Sequence, residues 1–117
     1  MNAREVARLL SAQVLAGEDR LDDTPILSAC GADLMSDVLA FVKHDTVLLT
    51  GLTNPHVVRT VEMLDVRCLV FVRGKLPSRD ILDQAEEKGL VVMATPDTLY
   101  VACGKLYAAG LPGGQAW

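Results

Sequence analysis

Short apolar runs alternate with amphipathic stretches along most of the chain. Runs of four to six mostly apolar residues stand at 13–16, 25–30, 46–50, 67–72 and 90–94. Runs of this length, rich in aliphatic residues and separated by polar or glycine-containing segments, are typical of strands covered on both faces. The pattern therefore predicts five strands.

Between these runs, apolar residues recur at helical spacing and follow residues that can cap a helix. Asn2 and Glu5 form a capping-box pattern, Asp33 is placed to cap a second helix, and Asn54 precedes Pro55. The predicted helices lie at about 2–10, 33–45, 55–65, 78–88 and 96–109.

The second half of the chain repeats a strand-loop-helix unit. A shift of 23 residues superposes residues 48–58 (LLTGLTNPHVV) on residues 71–81 (FVRGKLPSRDI) and aligns Gly51 with Gly74. Successive right-handed βαβ units in one parallel sheet account for this repeat, because each unit returns the chain to the same end of the sheet. The loops that follow these strands should therefore converge at one edge.

Composition favours the same architecture. Half of the residues are apolar but only 4% are aromatic, so the core is expected to be aliphatic, as in a sheet covered by helices. We expect one domain at residues 1–111 with a three-layer α/β/α sandwich fold and a mainly parallel central sheet. Residues 112–117 are expected to form a flexible tail.

Charge and hydropathy argue against two classes of partner. The net charge is −4 and the basic residues are scattered, which does not favour nucleic-acid binding. No apolar run approaches the length of a membrane span, and the amino terminus lacks the apolar core of a signal peptide. We therefore expect a cytoplasmic location and no association with a membrane.

The cysteines and histidines form no recognisable reactive motif. Cys30, Cys68 and Cys103 are far apart and include no CxxC pair, which argues against a disulfide framework and against a zinc site. We expect free, largely buried thiols and neither metal nor cofactor. His44 or His56 could serve as the base for a cysteine nucleophile, but no motif brings such a pair together.

Candidate ligand-binding residues lie in the three loops predicted at the carboxyl edge of the sheet. This edge presents helix amino termini with unpaired N–H groups, where α/β proteins commonly bind ligands. Glycine lets the backbone approach a ligand, threonine supplies hydroxyls, and basic side chains can hold an anion. The candidates are Thr50, Gly51, Thr53, Asn54, Arg73, Gly74, Lys75 and Thr95.

Several of these residues also have a purely structural interpretation. Asn54 and Thr95 each precede a proline and can simply cap helices. Arg73 and Lys75 can be solvated loop residues. Neither GxxxxGK[ST] nor GxGxxG occurs in the chain, so neither a nucleotide-hydrolysing phosphate loop nor a dinucleotide-binding loop is predicted.

Three stretches taken in order, 31–41, 50–65 and 71–98, resemble the stand-alone DRTGG-domain proteins. Relatives occur in the regulatory part of long phosphotransacetylases, in regulatory inorganic pyrophosphatases and, more distantly, in the amino-terminal domain of HPr kinase/phosphorylase. The resemblance implies an α/β sandwich with a regulatory role. It implies no catalytic residues, because the chemistry of HPr kinase belongs to a separate carboxyl-terminal domain.

The residues that give this family its name are largely replaced. The Asp-Arg of the signature falls near Thr53-Asn54, and its Thr-Gly-Gly falls near Arg73-Gly74-Lys75, so only Gly74 is kept.

Three functional hypotheses follow. The first is a non-catalytic regulatory or ligand-sensing module that binds a small anionic ligand such as a nucleotide at the carboxyl edge and forms a homodimer. The second is a structural interaction module, an adaptor of a larger metabolic or redox enzyme. The third is an enzyme that uses Cys30 or Cys103 as nucleophile.

Overall fold

The computed structural model describes residues 1–41 and 44–113. Its strands are β1 (Gln13–Ala16), β2 (Ser28–Gly31), β3 (Thr46–Thr50), β4 (Cys68–Phe71) and β5 (Val91–Ala94). Its α-helices are α1 (Ala3–Leu9), α2 (Met35–Phe41), α3 (Pro55–Met63), α4 (Arg79–Glu87) and α5 (Leu99–Ala108). One turn of 3-10 helix follows β1 at Glu18–Arg20. Each strand and helix predicted from the sequence is thus present.

The strands form one sheet in the order β1-β5-β4-β3-β2. β2, β3, β4 and β5 are parallel to one another, and each pair keeps its register. β1 runs antiparallel to β5 at one edge and contains a register shift after Val14. This arrangement confirms the mainly parallel sheet, and it leaves β2 as the opposite edge strand.

Helices cover both faces of the sheet and divide the core into two apolar layers. Side chains of α1 and α5 pack on one face, together with Val47 and Leu49 of β3. Side chains of α2, α3 and α4 pack on the other face, together with Leu48. Successive residues of a strand point to opposite faces, so a strand buried on both sides must be apolar throughout. The three-layer sandwich is therefore confirmed.

Two element boundaries differ from the prediction by three residues: β2 begins at Ser28 instead of residue 25, and α5 begins at Leu99 instead of residue 96. Ile26 N–H donates to the Met1 carbonyl (2.8 Å) and so lies outside the pairing of β2 with β3. The strand ends at Gly31, one residue beyond Cys30. α2 is helical to the last described residue before the gap, and the predicted end near 43–45 lies partly outside the described residues.

The start of the expected tail is attached to the sheet. Ala29 N–H donates to the Pro112 carbonyl (2.9 Å), and Gly113 forms an isolated parallel bridge with Ala29. Leu111 is buried in the α1–α5 layer. Pro112 and Gly113 thus belong with the β2 edge, and residues 114–117 lie outside the described residues.

Candidate functional site

The loops at the carboxyl ends of β3, β4 and β5 are bonded directly to one another. Val72 N–H donates to the Thr50 carbonyl (3.0 Å), which extends the pairing of β3 and β4. Arg73 N–H donates to the Asp97 carbonyl (2.7 Å), and Gly74 N–H donates to the Thr95 carbonyl (3.0 Å). The predicted convergence of the three loops at one edge is therefore confirmed.

A fourth loop joins them through Asp33, which follows β2. Asp33 Oδ1 accepts hydrogen bonds from Gly51 N–H (2.7 Å) and from the Thr50 hydroxyl (3.1 Å). α2 begins at Met35, one residue later than a cap at Asp33 requires, so the predicted capping role is wrong. Asp33 instead ties the ends of β2 and β3 together. The sequence signal for this role was its position two residues after a strand, on the same edge as the other loops.

Arg73 has a left-handed backbone that the neighbouring loop holds in place. Arg73 has φ 60° and Gly74 has φ 67°, and Lys75 N–H donates to the Val72 carbonyl (3.1 Å). Positive φ at both central residues is the pattern of a type I′ turn. The left-handed conformation costs a residue with a side chain about 1 kcal/mol, so the bonds to β5's loop stabilise a conformation that arginine otherwise avoids.

The Arg73 side chain lies against Gly51. A Cβ added to residue 51 would overlap Arg73 Nη2 and lie 2.8 Å from Cζ, so the guanidinium occupies the space that a side chain would fill. Within residues 1–41 and 44–113, no group forms a hydrogen bond or ion pair with this guanidinium. Arg73 is exposed, so the N–H donors of its guanidinium are available to an external acceptor.

Of the remaining candidates, two form side-chain hydrogen bonds within the chain and two lie in loops. Asn54 caps α3, since its side chain accepts from His56 N–H (2.9 Å). Thr95 is buried and its hydroxyl donates to the Leu10 carbonyl (3.0 Å), while Thr98 caps α5. The predicted cap at Thr95 is therefore wrong. Thr53 is half-buried and Lys75 is exposed in their respective loops.

Gly51 and Thr50 also form hydrogen bonds within the chain. Thr50 is fully buried, and its hydroxyl both donates to Asp33 and accepts from Leu52 N–H (3.1 Å). Of the candidates, the structure thus brings Gly51 and Arg73 into direct contact, and Gly51 N–H also donates to the Asp33 carboxylate. This combination of a free guanidinium, a glycine and a carboxylate is suited to a polar ligand with an anionic group.

The cysteines carry none of the features of an activated nucleophile. Burial raises the pKa of Cys68 to about 12, and burial raises the pKa of Cys103. Burial, followed by the charges of Cys103 and Asp37, raises the pKa of Cys30. A catalytic cysteine needs the opposite shift, because the thiolate is the nucleophile.

We therefore expect iodoacetamide at neutral pH to modify Cys30, Cys68 and Cys103 more slowly than free cysteine. The raised pKa values leave less thiolate than in the free amino acid, and Cys68 is fully buried. Mass spectrometry of the labelled native protein measures the rates. Rapid, selective labelling of one cysteine would favour the cysteine-enzyme hypothesis.

Two features are absent from the described part of the chain. It contains no cluster of three or more His, Cys, Asp or Glu side chains arranged to hold a metal ion. None of its helices is long and apolar enough to cross a membrane.

The fold and the converging loops define the class, a small α/β sandwich domain with its candidate site at the carboxyl edge of the sheet. The chain belongs to the DRTGG domain family, whose model matches residues 5–107. This match confirms the resemblance noted in the sequence. No curated protein sequence matches the chain.

A solved structure shares this fold. It contains the CBS and DRTGG domains of the regulatory region of Clostridium perfringens pyrophosphatase, in complex with the activator diadenosine tetraphosphate. The two chains are 21% identical and superpose with a TM-score of 0.72, over 93% of this chain and 46% of the other. The present chain therefore spans a little under half the length of that regulatory region.

Proposed function

We propose that this chain is a non-catalytic, ligand-sensing regulatory domain that binds a small anionic ligand, such as a nucleotide, at the loop surface formed by Gly51 and Arg73. The observation that carries the proposal is the arginine itself. Its backbone is held in a strained conformation by Asp97 and its guanidinium rests on Gly51 without a hydrogen-bonding partner among the described residues. Strain of this kind persists where the surrounding structure maintains it, often at binding sites.

The loop geometry supports an anionic ligand. Arginine presents a planar set of donors that match phosphate and carboxylate oxygens, and Lys75 lies two residues away in an exposed position. Asp33 then offers its second carboxylate oxygen to hydroxyl or amino groups of the same ligand, such as those of a nucleoside. Nucleotides are the first class to test, since the similar pyrophosphatase region was solved with a nucleotide activator.

The test is calorimetric titration of the 117-residue chain with mono- and dinucleotides, acyl-coenzyme A and nucleotide sugars. We expect Arg73→Ala to weaken binding of the recognised ligand by about tenfold to a hundredfold, because a hydrogen bond to a charged group contributes about 1.5–3 kcal/mol. Arg67→Ala is the matched control: it removes the same charge from an exposed residue at the amino end of β4. The control should change the affinity by less than about twofold.

A second variant tests whether ligand binding depends on the position of the Arg73 guanidinium or only on a positive charge nearby. Gly51→Ala keeps Arg73 but places a methyl group where the guanidinium lies, so the side chain must move. We expect weaker binding with little loss of stability, because the displaced atoms are the end of a flexible side chain. The absence of any ligand tighter than about millimolar would refute the proposal, and so would an affinity that Arg73→Ala leaves unchanged.

A second candidate function is an interaction module, an adaptor of a larger enzyme. The observation that favours it is that polar groups near Arg73 are already paired within the chain. Asp33 accepts hydrogen bonds from Gly51 N–H and from the Thr50 hydroxyl, so these donors are not available to a ligand. Recovery of a stable complex by affinity purification, unchanged when small molecules are removed by dialysis, would support this function over ligand sensing.

A further inference from the structure

A groove opens at the carboxyl edge of the sheet, next to the turn that carries Arg73. It has a volume of about 270 Å³. Its lining includes Ser11, Gln13, Gly74, Leu76, Thr95 and Pro96. Because β1 is antiparallel to β5, its first residue, Gln13, lies opposite Ala94 at the end of β5. The start of β1 therefore shares the edge at which the other strands end, and the groove belongs to the same surface as Arg73.

Hydrogen bonds to Thr95 hold both walls of the groove in place. The Thr95 hydroxyl donates to the Leu10 carbonyl (3.0 Å), which fixes the segment between α1 and β1. Gly74 N–H donates to the Thr95 carbonyl (3.0 Å), which fixes the loop after β4. Thr95 itself is buried beneath them. The groove is therefore formed within the single chain before any ligand arrives, as most small-molecule sites are.

The groove is uncharged, whereas the adjoining turn is basic. None of the described residues that line the groove is acidic or basic. Leu76 is 65% exposed and Pro96 is exposed as well, so both present apolar surface to a ligand. Arg73 and Lys75, both exposed, flank Gly74 in the turn. A ligand with a neutral ring system and a separate anionic group matches this division of charge.

Gln13 supplies a polar group at the wall of this groove. Its side chain is exposed, and no described residue forms a hydrogen bond with its carboxamide. A carboxamide carries an acceptor oxygen and a donor NH₂ group side by side. Adenine presents the complementary pair on one edge, since its amino group donates and its N7 accepts. Glutamine binds this edge of adenine with two hydrogen bonds, so the free carboxamide indicates which ring system the groove takes.

We propose that this groove is the base subsite of the anion site at Gly51 and Arg73, and that it takes the adenine ring of an adenine nucleotide. The inference rests on the proposed function and specifies its ligand. Gln13 binds the edge of the base, and Arg73 binds the phosphate. Thr95 follows β5 and Gly51 follows β3, two strand spacings away, which is roughly 10 Å. The ribose of a nucleotide separates base and phosphate by a distance of this order.

The test is calorimetric titration of the 117-residue chain with AMP, with GMP and with ribose phosphate, which lacks a base. We expect AMP to bind at least about fivefold more tightly than GMP or ribose phosphate, because a bidentate contact discriminates between bases by this factor or more. Gln13→Ala should abolish the preference and leave the affinity for ribose phosphate unchanged. Gln84→Ala is the matched control and should keep the preference, since Gln84 lies on α4 and donates to Asp80 (3.4 Å).

Heteronuclear NMR of the same chain gives a direct readout of the base subsite. AMP should shift the side-chain amide resonance of Gln13, whereas ribose phosphate should leave it unchanged. Equal affinities for AMP and ribose phosphate, or a preference for AMP that survives Gln13→Ala, would overturn this inference. The proposed function would stand in either case if ribose phosphate still binds and Arg73→Ala weakens that binding. If none of the three compounds binds, the inference fails together with a nucleotide-sensing function.

Discussion

Replacement of Gly17 by alanine is expected to lower the free energy of unfolding by about 3 kcal/mol. Gly17 has φ 82°, which costs a residue with a side chain about 1–2 kcal/mol. A Cβ there would also lie 2.7 Å from the Leu90 carbonyl oxygen and 2.9 Å from Val91 Cα, and these backbone atoms cannot move without disturbing β5. Overlap of this kind adds about 1–3 kcal/mol.

Gly89→Ala is the matched control, because it has the cost of a left-handed backbone without the steric overlap of the added Cβ. Gly89 has a similar φ of 73°, but a Cβ added there would meet no atom of the described residues within 4 Å. We expect a loss of about 1 kcal/mol from its left-handed conformation alone. Urea unfolding followed by circular dichroism measures both values. Equal losses in the two variants would show that the contact with Leu90 and Val91 contributes nothing.

Asp33→Ala is expected to lower the free energy of unfolding by about 2 kcal/mol. The substitution removes the acceptor of Gly51 N–H and of the Thr50 hydroxyl, and both of these residues are buried. A buried donor left without a partner costs about 1–3 kcal/mol. Because Arg73 rests on Gly51, the same variant should also weaken binding at the proposed site.

Asp33→Asn tests whether the hydrogen bonds or the charge of Asp33 matter. Asparagine keeps a side-chain carbonyl oxygen that can accept from Gly51 N–H, so we expect it to retain more than half of the stability lost in Asp33→Ala. Hydrogen exchange of the Gly51 amide provides the direct measurement: protection should fall in the alanine variant and persist in the asparagine variant. Equal protection in both variants would contradict the structural role of Asp33.

The sequence predicted which edge of the sheet carries the candidate site, but not which polar groups there are already hydrogen-bonded. The alignment of Gly51 with Gly74 was sufficient to predict converging loops, because parallel strands end at the same edge of a sheet. Thr95 shows the limit of such reasoning. Its position before a proline is typical of a helix cap, yet its buried hydroxyl donates to Leu10, which is 85 residues away. No local pattern contains that partner.

The sequence by itself determined the order of strands and helices, the mainly parallel sheet and the caps at Asn2 and Asn54. These features depend on residue periodicity or on contacts within three residues, such as Asn2 Oδ1 accepting from Glu5 N–H. Tertiary structure alone decided that Asp33 closes the β3 loop, 18 residues further along the chain, and that Arg73 lies on Gly51. The physical reason is range: these contacts form only after separate strands pair, so their partners are set by the sheet and not by neighbours in sequence.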